Sequence, residues 1–361
     1  MCGGLGFITS GCDEPQRPSP GAGGIVVSMP PGGHNTRLDE RPVCHDRPAL
    51  FHGPCPGPAL LAPAMSAAPI GVFDSGVGGL SVLRHIHRML PSESLIYVAD
   101  SAYAPYGDRS SEEIHARAHA ICRFLIDQGA RAIVVACNTA TAVAVASLRA
   151  TFDLPIVAME PAIKPAAALT QTGVVAVLAT QRTLASQQIE RLVQRHAQGC
   201  RVLLQPCPGF VDQVERGELT GARTRRLVAD TLQPLLDAGI DVLVLGCTHY
   251  PFLLPAIRAV VGEDLTIIDP AEAVTQELQR RLTGHRSAAE RAVGPATLRF
   301  YTTGSIATVG PVLDALWGRP AQLSGCLDAQ TDTVQGASPA EASAEGTSAP
   351  PPHSSCPDDG R

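Results

Sequence analysis

The sequence predicts an α/β fold: two pseudo-symmetric, doubly wound parallel-sheet domains with the active site in the cleft between them. Three observations carry that expectation. Apolar runs of strand length alternate with helical periodicities through the middle of the chain, the rhythm of parallel strands whose helices cover both sheet faces. Two of those runs end alike. AIVVACNTATAVAVASLR carries Cys137 among amide and hydroxyl residues and runs on to Arg149, and VLVLGCTHYPFLLPAIR repeats the plan with Cys247 and Arg258. At 361 residues the chain also exceeds one average domain.

Taken in order, IGVFDS opens the series at Ile70, and the helical pattern SVLRHIHRML follows it. LIYVAD comes next, then a long helical stretch from Ser110 to Gln128, then AIVVAC and its helix. PIVAM, GVVAVLAT, CRVLLQ, DVLVLGC and LTIIDP complete the strand candidates. Ligands of such sheets bind outside the carboxyl ends of the strands, so the polar residues that end these strands are the ones to examine.

The two ends of the chain have another character. Residues 1–68 contain 11 Gly and 11 Pro, and a disordered leader is expected over 1–67, with Met65 an alternative start. Residues 322–361 hold no Phe, Trp or Tyr, and a disordered tail is expected over 321–361 because such a composition buries too little surface to order itself.

Composition excludes several classes. The chain has a single lysine, Lys164, in AIKPAA, and nothing there marks the Schiff-base lysine that pyridoxal phosphate requires. With a formal charge of −6 and no basic stripe, nucleic acid is not an expected partner. No window offers 18 purely apolar residues for a membrane span. The 11 cysteines are odd in number and form no C-x-x-C pair, which speaks for reduced thiols in a cytoplasmic protein and against a disulfide framework or a metal site.

Cys137 and Cys247 each sit where a strand meets a helix, a position in which amides and the helix dipole are expected to lower a thiol pKa. His249, two residues after Cys247, suits proton exchange with that thiol. DSGVGGLSVL, from Asp74 to Leu83, ends the first strand with a carboxylate and a hydroxyl, followed by glycines that let backbone amides approach a ligand. It has neither the P-loop ending nor the dinucleotide spacing, so a small carboxylate fits better than a nucleotide. The Pro-Tyr-Gly turn in DSAYAPYGDRS offers amides to a second carboxylate. Thr180 and Thr183 in LATQRT read as helix caps or ligand contacts.

In that order and spacing, IGVFDSGVGGLSVL, YVADSAYAPYG, VVACNTATAVA, CPGFVDQVERGEL and LGCTHYPFL resemble the glutamate racemases of the aspartate/glutamate racemase superfamily. The resemblance covers roughly residues 68–318. It implies a cofactor-independent, metal-free enzyme, commonly a homodimer, that interconverts L- and D-glutamate and supplies the D-isomer for peptidoglycan. It implies one domain from residues 68–162 with 273–320 and a second from 163–272. By the same resemblance Cys137 is the acid/base thiol on the D-glutamate side and Cys247 that on the L-glutamate side. Asp74 and His249 assist them, and Glu215 accompanies Cys247 and His249. Asp74, Ser75, Pro105, Tyr106, Gly107, Asn138, Thr139, Thr183 and Thr248 hold the substrate. Thr180-Gln181-Arg182-Thr183 departs from the family's usual glycine-containing turn, as do Gly209 and Asp212 from its larger apolar residues or proline.

The residue chemistry stands beside the resemblance. Racemisation removes a proton from one face of a weak carbon acid and returns one to the other, which calls for two opposed bases. Without pyridoxal, positioned donors in a dry cleft must stabilise the developing charge. An aspartate racemase would share both thiols and differ by one methylene of pocket depth. A non-catalytic amino-acid binding protein would have no use for two matched thiols, and a redox or metal protein would need the C-x-x-C pair that is absent.

Overall fold

The structure, a computed structural model, describes residues 68–283 and 295–327 and the backbone of 334–336. The leader expected over 1–67, with Cys2, Cys12, Cys44 and Cys55, lies outside the described residues, as does most of the expected tail, including Cys356.

The first sheet grows around β1 (Ile70–Asp74), whose five residues are all buried. Such a strand is apolar on both faces because helices cover both sides of it. The following α1 (Leu80–Met89) turns Leu80, Leu83 and Ile86 inward, one face at helical spacing. Then come β2 (Leu95–Ala99), α2 (Ser111–Asp127) and β3 (Ala132–Val135). The start of α2 is set by a capping box, in which Ser110 accepts from the Glu113 amide and Glu113 accepts from the Ser110 amide. Next are α3 (Asn138–Thr151) and β4 (Ile156–Ala158).

The second sheet follows, with α4 (Ile163–Leu169) leading into β5 (Val174–Ala179), α5 (Gln181–Leu184), α6 (Gln187–His196) and β6 (Arg201–Pro206). It continues through α7 (Phe210–Glu215), α8 (Ala222–Asp237), β7 (Val242–Leu245), α9 (Leu254–Val261) and β8 (Thr266–Ile268). The strand order is β6-β5-β7-β8, all parallel.

From there α10 (Ala271–Thr283) packs back on α1. β9 (Leu298–Thr302) pairs with β2, and α11 (Ile306–Trp317) leads to β10 (Leu323–Leu327) and β11 (Val334–Gly336). The first sheet thus runs β11-β10-β9-β2-β1-β3-β4, parallel except for β11. The predicted fold class holds: two parallel sheets flanked by helices.

Two differences from the sequence reading stand out. LRFYT, which became β9, was not among the strand candidates; it is half-buried at Leu298 and Arg299, so its apolar signal is diluted. Residues Leu323–Leu327, expected in the tail, belong instead to the first sheet. Ala321 and Leu327 are buried, and β10 pairs with β9 although it is poor in aromatic residues, because an existing sheet edge supplies its hydrogen bonds.

Candidate active site

Register brings the strand ends together. Phe73 pairs with Val135 in the first sheet, which sets Ser75 abreast of Cys137, and the Cys137 thiol lies 3.6 Å from the Ser75 hydroxyl. In the second sheet Leu178 pairs with Leu245, which sets Thr180 abreast of Cys247. Each thiol thus ends a strand beside a hydroxyl residue, and the two sulfurs lie within electrostatic reach of each other.

The two junctions are not equivalent. Cys137 is the N-cap of α3 and accepts from the Ala140 amide at 3.3 Å. Cys247 precedes a tight 3-10 turn, Tyr250–Leu253, and α9 starts only at Leu254. The expectation that the helix N-terminus lowers the Cys137 pKa is overturned. Burial, helped by the nearby Asp74 carboxylate, pushes this thiol up to about 12, against the smaller pull of the Ala140 amide and the Ser75 hydroxyl. Desolvation wins because the residue is only 4% exposed.

Around Cys247 the charges are arranged differently. His249 Nδ1 lies 3.7 Å from the Cys247 sulfur and 3.4 Å from the Thr248 hydroxyl, while Nε2 lies 2.7 Å from Glu215 Oε1. Burial disfavours a charged ring, yet the Cys247 sulfur and the Glu215 carboxylate outweigh it and hold the imidazole well above its ordinary value. Glu215 Oε1 also accepts from the Val77 amide at 2.8 Å, so the DSGVGG loop of the first sheet and the GCTHYP loop of the second share one carboxylate. Glycine is required there, since a Cβ at Gly78 would overlap the His249 ring and one at Gly76 would overlap Glu215.

Asp74 braces the same junction. Its Oδ2 accepts from the Gly79 amide at 2.9 Å and the Gly76 amide at 3.3 Å, and the Thr248 hydroxyl donates to Oδ1 at 3.2 Å. Complete burial raises its carboxyl, partly offset by His249. Asp74 makes no direct hydrogen bond to either thiol; Ser75 is the first-sheet residue that touches Cys137.

The remaining predicted residues line the same region. Asn138 is 4% exposed with neither its amide nitrogen nor its oxygen partnered, an arrangement that a ligand would complete. Thr139, Thr180 and Thr183 form a triangle of hydroxyls with sides of 3.0, 2.9 and 3.1 Å, which joins α3 to α5. Pro105, in a cis bond to Ala104, precedes the tight turn Tyr106–Asp108. Its first amides, of Tyr106 and Gly107, stand ahead of any intrahelical partner. Gly107 faces Thr180 so closely that a Cβ would lie 3.2 Å from the Thr180 Cβ.

Several neighbours went unmarked in the sequence. Tyr250, fully buried, turns a hydroxyl without a well-formed hydrogen bond toward the Cys207 and Cys247 thiols. The Tyr97 hydroxyl donates to the Gly76 carbonyl at 2.7 Å, and Ser81 donates to the Thr248 carbonyl at 2.9 Å. All three lie inside quoted motifs, Tyr97 in YVADSAYAPYG, Ser81 in DSGVGGLSVL and Tyr250 in GCTHYP, but their partners are distant in the chain and no local signal names them. Among the described residues, no group of three or more His, Cys, Asp or Glu could hold a metal ion. No described helix is long and apolar enough to cross a membrane.

Chemically, the site offers two buried thiols on separate sheets, one beside an imidazole and carboxylate, with amide and hydroxyl donors between them. The Asp/Glu/hydantoin racemase family model matches residues 70–278. The glutamate racemase of Stutzerimonas stutzeri is 50% identical over 256 residues, 71% of this chain and 96% of the relative. That of Pseudomonas aeruginosa strain PAO1 is 49% identical over 258 residues, 71% and 97% of the two chains. The crystal structure of the Bacillus anthracis glutamate racemase isoform RacE1 superposes with a TM-score of 0.66 at 34% identity, covering 73% of this chain and 99% of that one. The Escherichia coli glutamate racemase, solved with L-glutamate and the activator UDP-MurNAc-ala, gives 0.63 at 32% identity over 69% and 95%.

The two-sheet fold and these likenesses define an amino-acid racemase, an isomerase. The chain belongs to the Asp/Glu/hydantoin racemase family and, within it, to the glutamate racemases.

Proposed function

We propose that this chain interconverts L- and D-glutamate by a two-thiol mechanism without a cofactor, acting in the cytoplasm to supply D-glutamate for peptidoglycan. The observation that carries the mechanism is the pair of strand-end thiols on separate sheets, within electrostatic reach of each other and linked by a shared set of polar groups.

In the L-to-D direction, Cys247 as thiolate removes the α-proton, and the C–H electron pair passes to the α-carbon and its carboxylate. The Cys137 thiol then delivers its proton to the opposite face. The reverse reaction exchanges these roles. A thiol raised to about 12 is protonated at neutral pH and ready to donate, whereas a protonated His249 gives the Cys247 sulfur a donor at 3.7 Å. Asn138, Thr139, Thr183 and Thr248, with the amides of Ser75, Tyr106 and Gly107, supply donors for two carboxylates. Exclusion of water from the buried site strengthens each of these contacts.

On this reading the working lobes are residues 68–162 with 273–320, and 163–272, and the enzyme acts as a homodimer. The test is a chiral assay with glutamate and, in parallel, aspartate, together with α-proton exchange in deuterated water. Racemisation of glutamate with deuterium incorporation supports the reading; a marked preference for aspartate overturns the substrate. Growth of a D-glutamate auxotroph on the expressed chain tests the cell-wall role, and sedimentation tests the dimer.

A further inference from the structure

One buried ion pair has no task in the mechanism above. Asp100 follows β2, is fully buried, and uses both oxygens. Oδ1 accepts from the Thr303 hydroxyl at 2.8 Å and Arg117 Nη2 at 3.1 Å; Oδ2 accepts from the Tyr106 hydroxyl at 2.5 Å and Arg117 Nε at 3.2 Å. Arg117 comes from α2, its side chain only 11% exposed, and its guanidinium lies 4.4 Å from the centroid of the Tyr103 ring. Register places Thr303 there, because Ala99 pairs with Thr302 and the next residues on both strands, Asp100 and Thr303, come out side by side.

Burying two charges carries a large desolvation cost before their attraction is counted, and β2 and β9 are already joined by their own ladder. The pair is not needed to close the sheet. It does what apolar packing cannot, which is to hold one hydroxyl in one direction. That hydroxyl belongs to Tyr106, the first residue of the turn that sets Gly107 against Thr180, and Tyr106 lies within electrostatic reach of Cys137.

We propose that Arg117 is a positioning residue for substrate binding: its bidentate grip on Asp100 anchors the Tyr106 hydroxyl and thereby sets the Tyr106–Gly107 turn against Cys137 and Thr180. The inference rests on the racemase reading, since it takes this turn as a carboxylate site. A guanidinium is required because its planar fork matches both carboxylate oxygens, whereas an ammonium is a point charge that satisfies one at a time.

The test compares the full chain with Arg117→Lys, Tyr106→Phe and the double variant, measuring kcat and KM for both enantiomers and the melting temperature of each. Arg117→Lys is expected to raise KM about tenfold, the size of one lost hydrogen bond, with a smaller change in kcat. Since the two enantiomers are equal in free energy, kcat/KM must fall equally in both directions. In the Tyr106→Phe background the same substitution should change KM by less than about threefold, because the hydroxyl through which it acts is gone. Fully additive effects, or an unchanged KM in Tyr106→Phe, overturn the inference, and the latter variant decides the matter even where Arg117→Lys does not fold. A wild-type chain that does not racemise glutamate overturns the underlying reading instead, before any variant is compared.

Discussion

His249 Nε2 lies 2.7 Å from Glu215 Oε1 although the two residues are 34 positions apart and sit on different elements. The contact turns the ring so that its other nitrogen faces Cys247, and the same carboxylate oxygen holds the Val77 amide of the first sheet. One carboxylate therefore links the charge state of the imidazole to the approach of the two sheets.

Glu215→Gln removes one of the two groups that raise His249. The ring then titrates at lower pH, so the alkaline limb of the pH–rate profile should move down, with kcat reduced about 10- to 100-fold. Stability follows the same sign. A histidine raised above its ordinary 6.5 adds stability that is fully present below that value and lost as pH climbs through the raised one. Melting curves from pH 6 to 9 should show that decline in the wild type and a flatter dependence in the variant.

Cys137→Ala and Cys247→Ala should each reduce racemisation by at least about 100-fold while leaving the circular dichroism spectrum unchanged. Near-wild-type turnover in either variant would sink the two-thiol mechanism. Cys→Ser at either position should retain trace activity at most, because an alcohol is far harder to deprotonate than a thiol.

Gly78→Ala should be nearly inactive, since its new methyl must displace the His249 ring. Gly310→Ala makes the contrasting case. Gly310 lies inside α11, where, apart from its chain neighbours, an added Cβ would meet only Leu323 at an ordinary 3.7 Å. Because Pro311 follows and a Cβ before a proline disfavours the helical backbone, no gain in stability is expected, and turnover should be unchanged. Equal activity losses in the two variants would count against the close packing of the DSGVGG loop on His249.

Thr183→Val removes a hydroxyl from the Thr139–Thr180–Thr183 triangle and leaves its partners short of a contact in a site that is 1% exposed. A cost of about 1–3 kcal/mol in stability is expected from denaturant titration, together with a higher KM for glutamate. Unchanged stability would show that the triangle does not hold the two sheets together.

The residue order by itself determined much of this protein. Strand-length apolar runs located all eight strands from β1 to β8, and the polar endings of those strands marked Asp74, Ser75, Cys137, Cys247 and His249. Both kinds of signal are local: a buried parallel strand must be apolar, and the residue that ends it must face the ligand side. Tertiary structure decided what depends on neighbours far apart in the chain. β9 and β10 order because β2 offers an edge for the returning chain. Asp100, Tyr106, Arg117 and Thr303 meet only through strand register and the packing of α2. The Cys137 thiol is pushed up because desolvation outweighs the amide at the helix N-terminus, and burial is a property of the assembled core that no short motif contains.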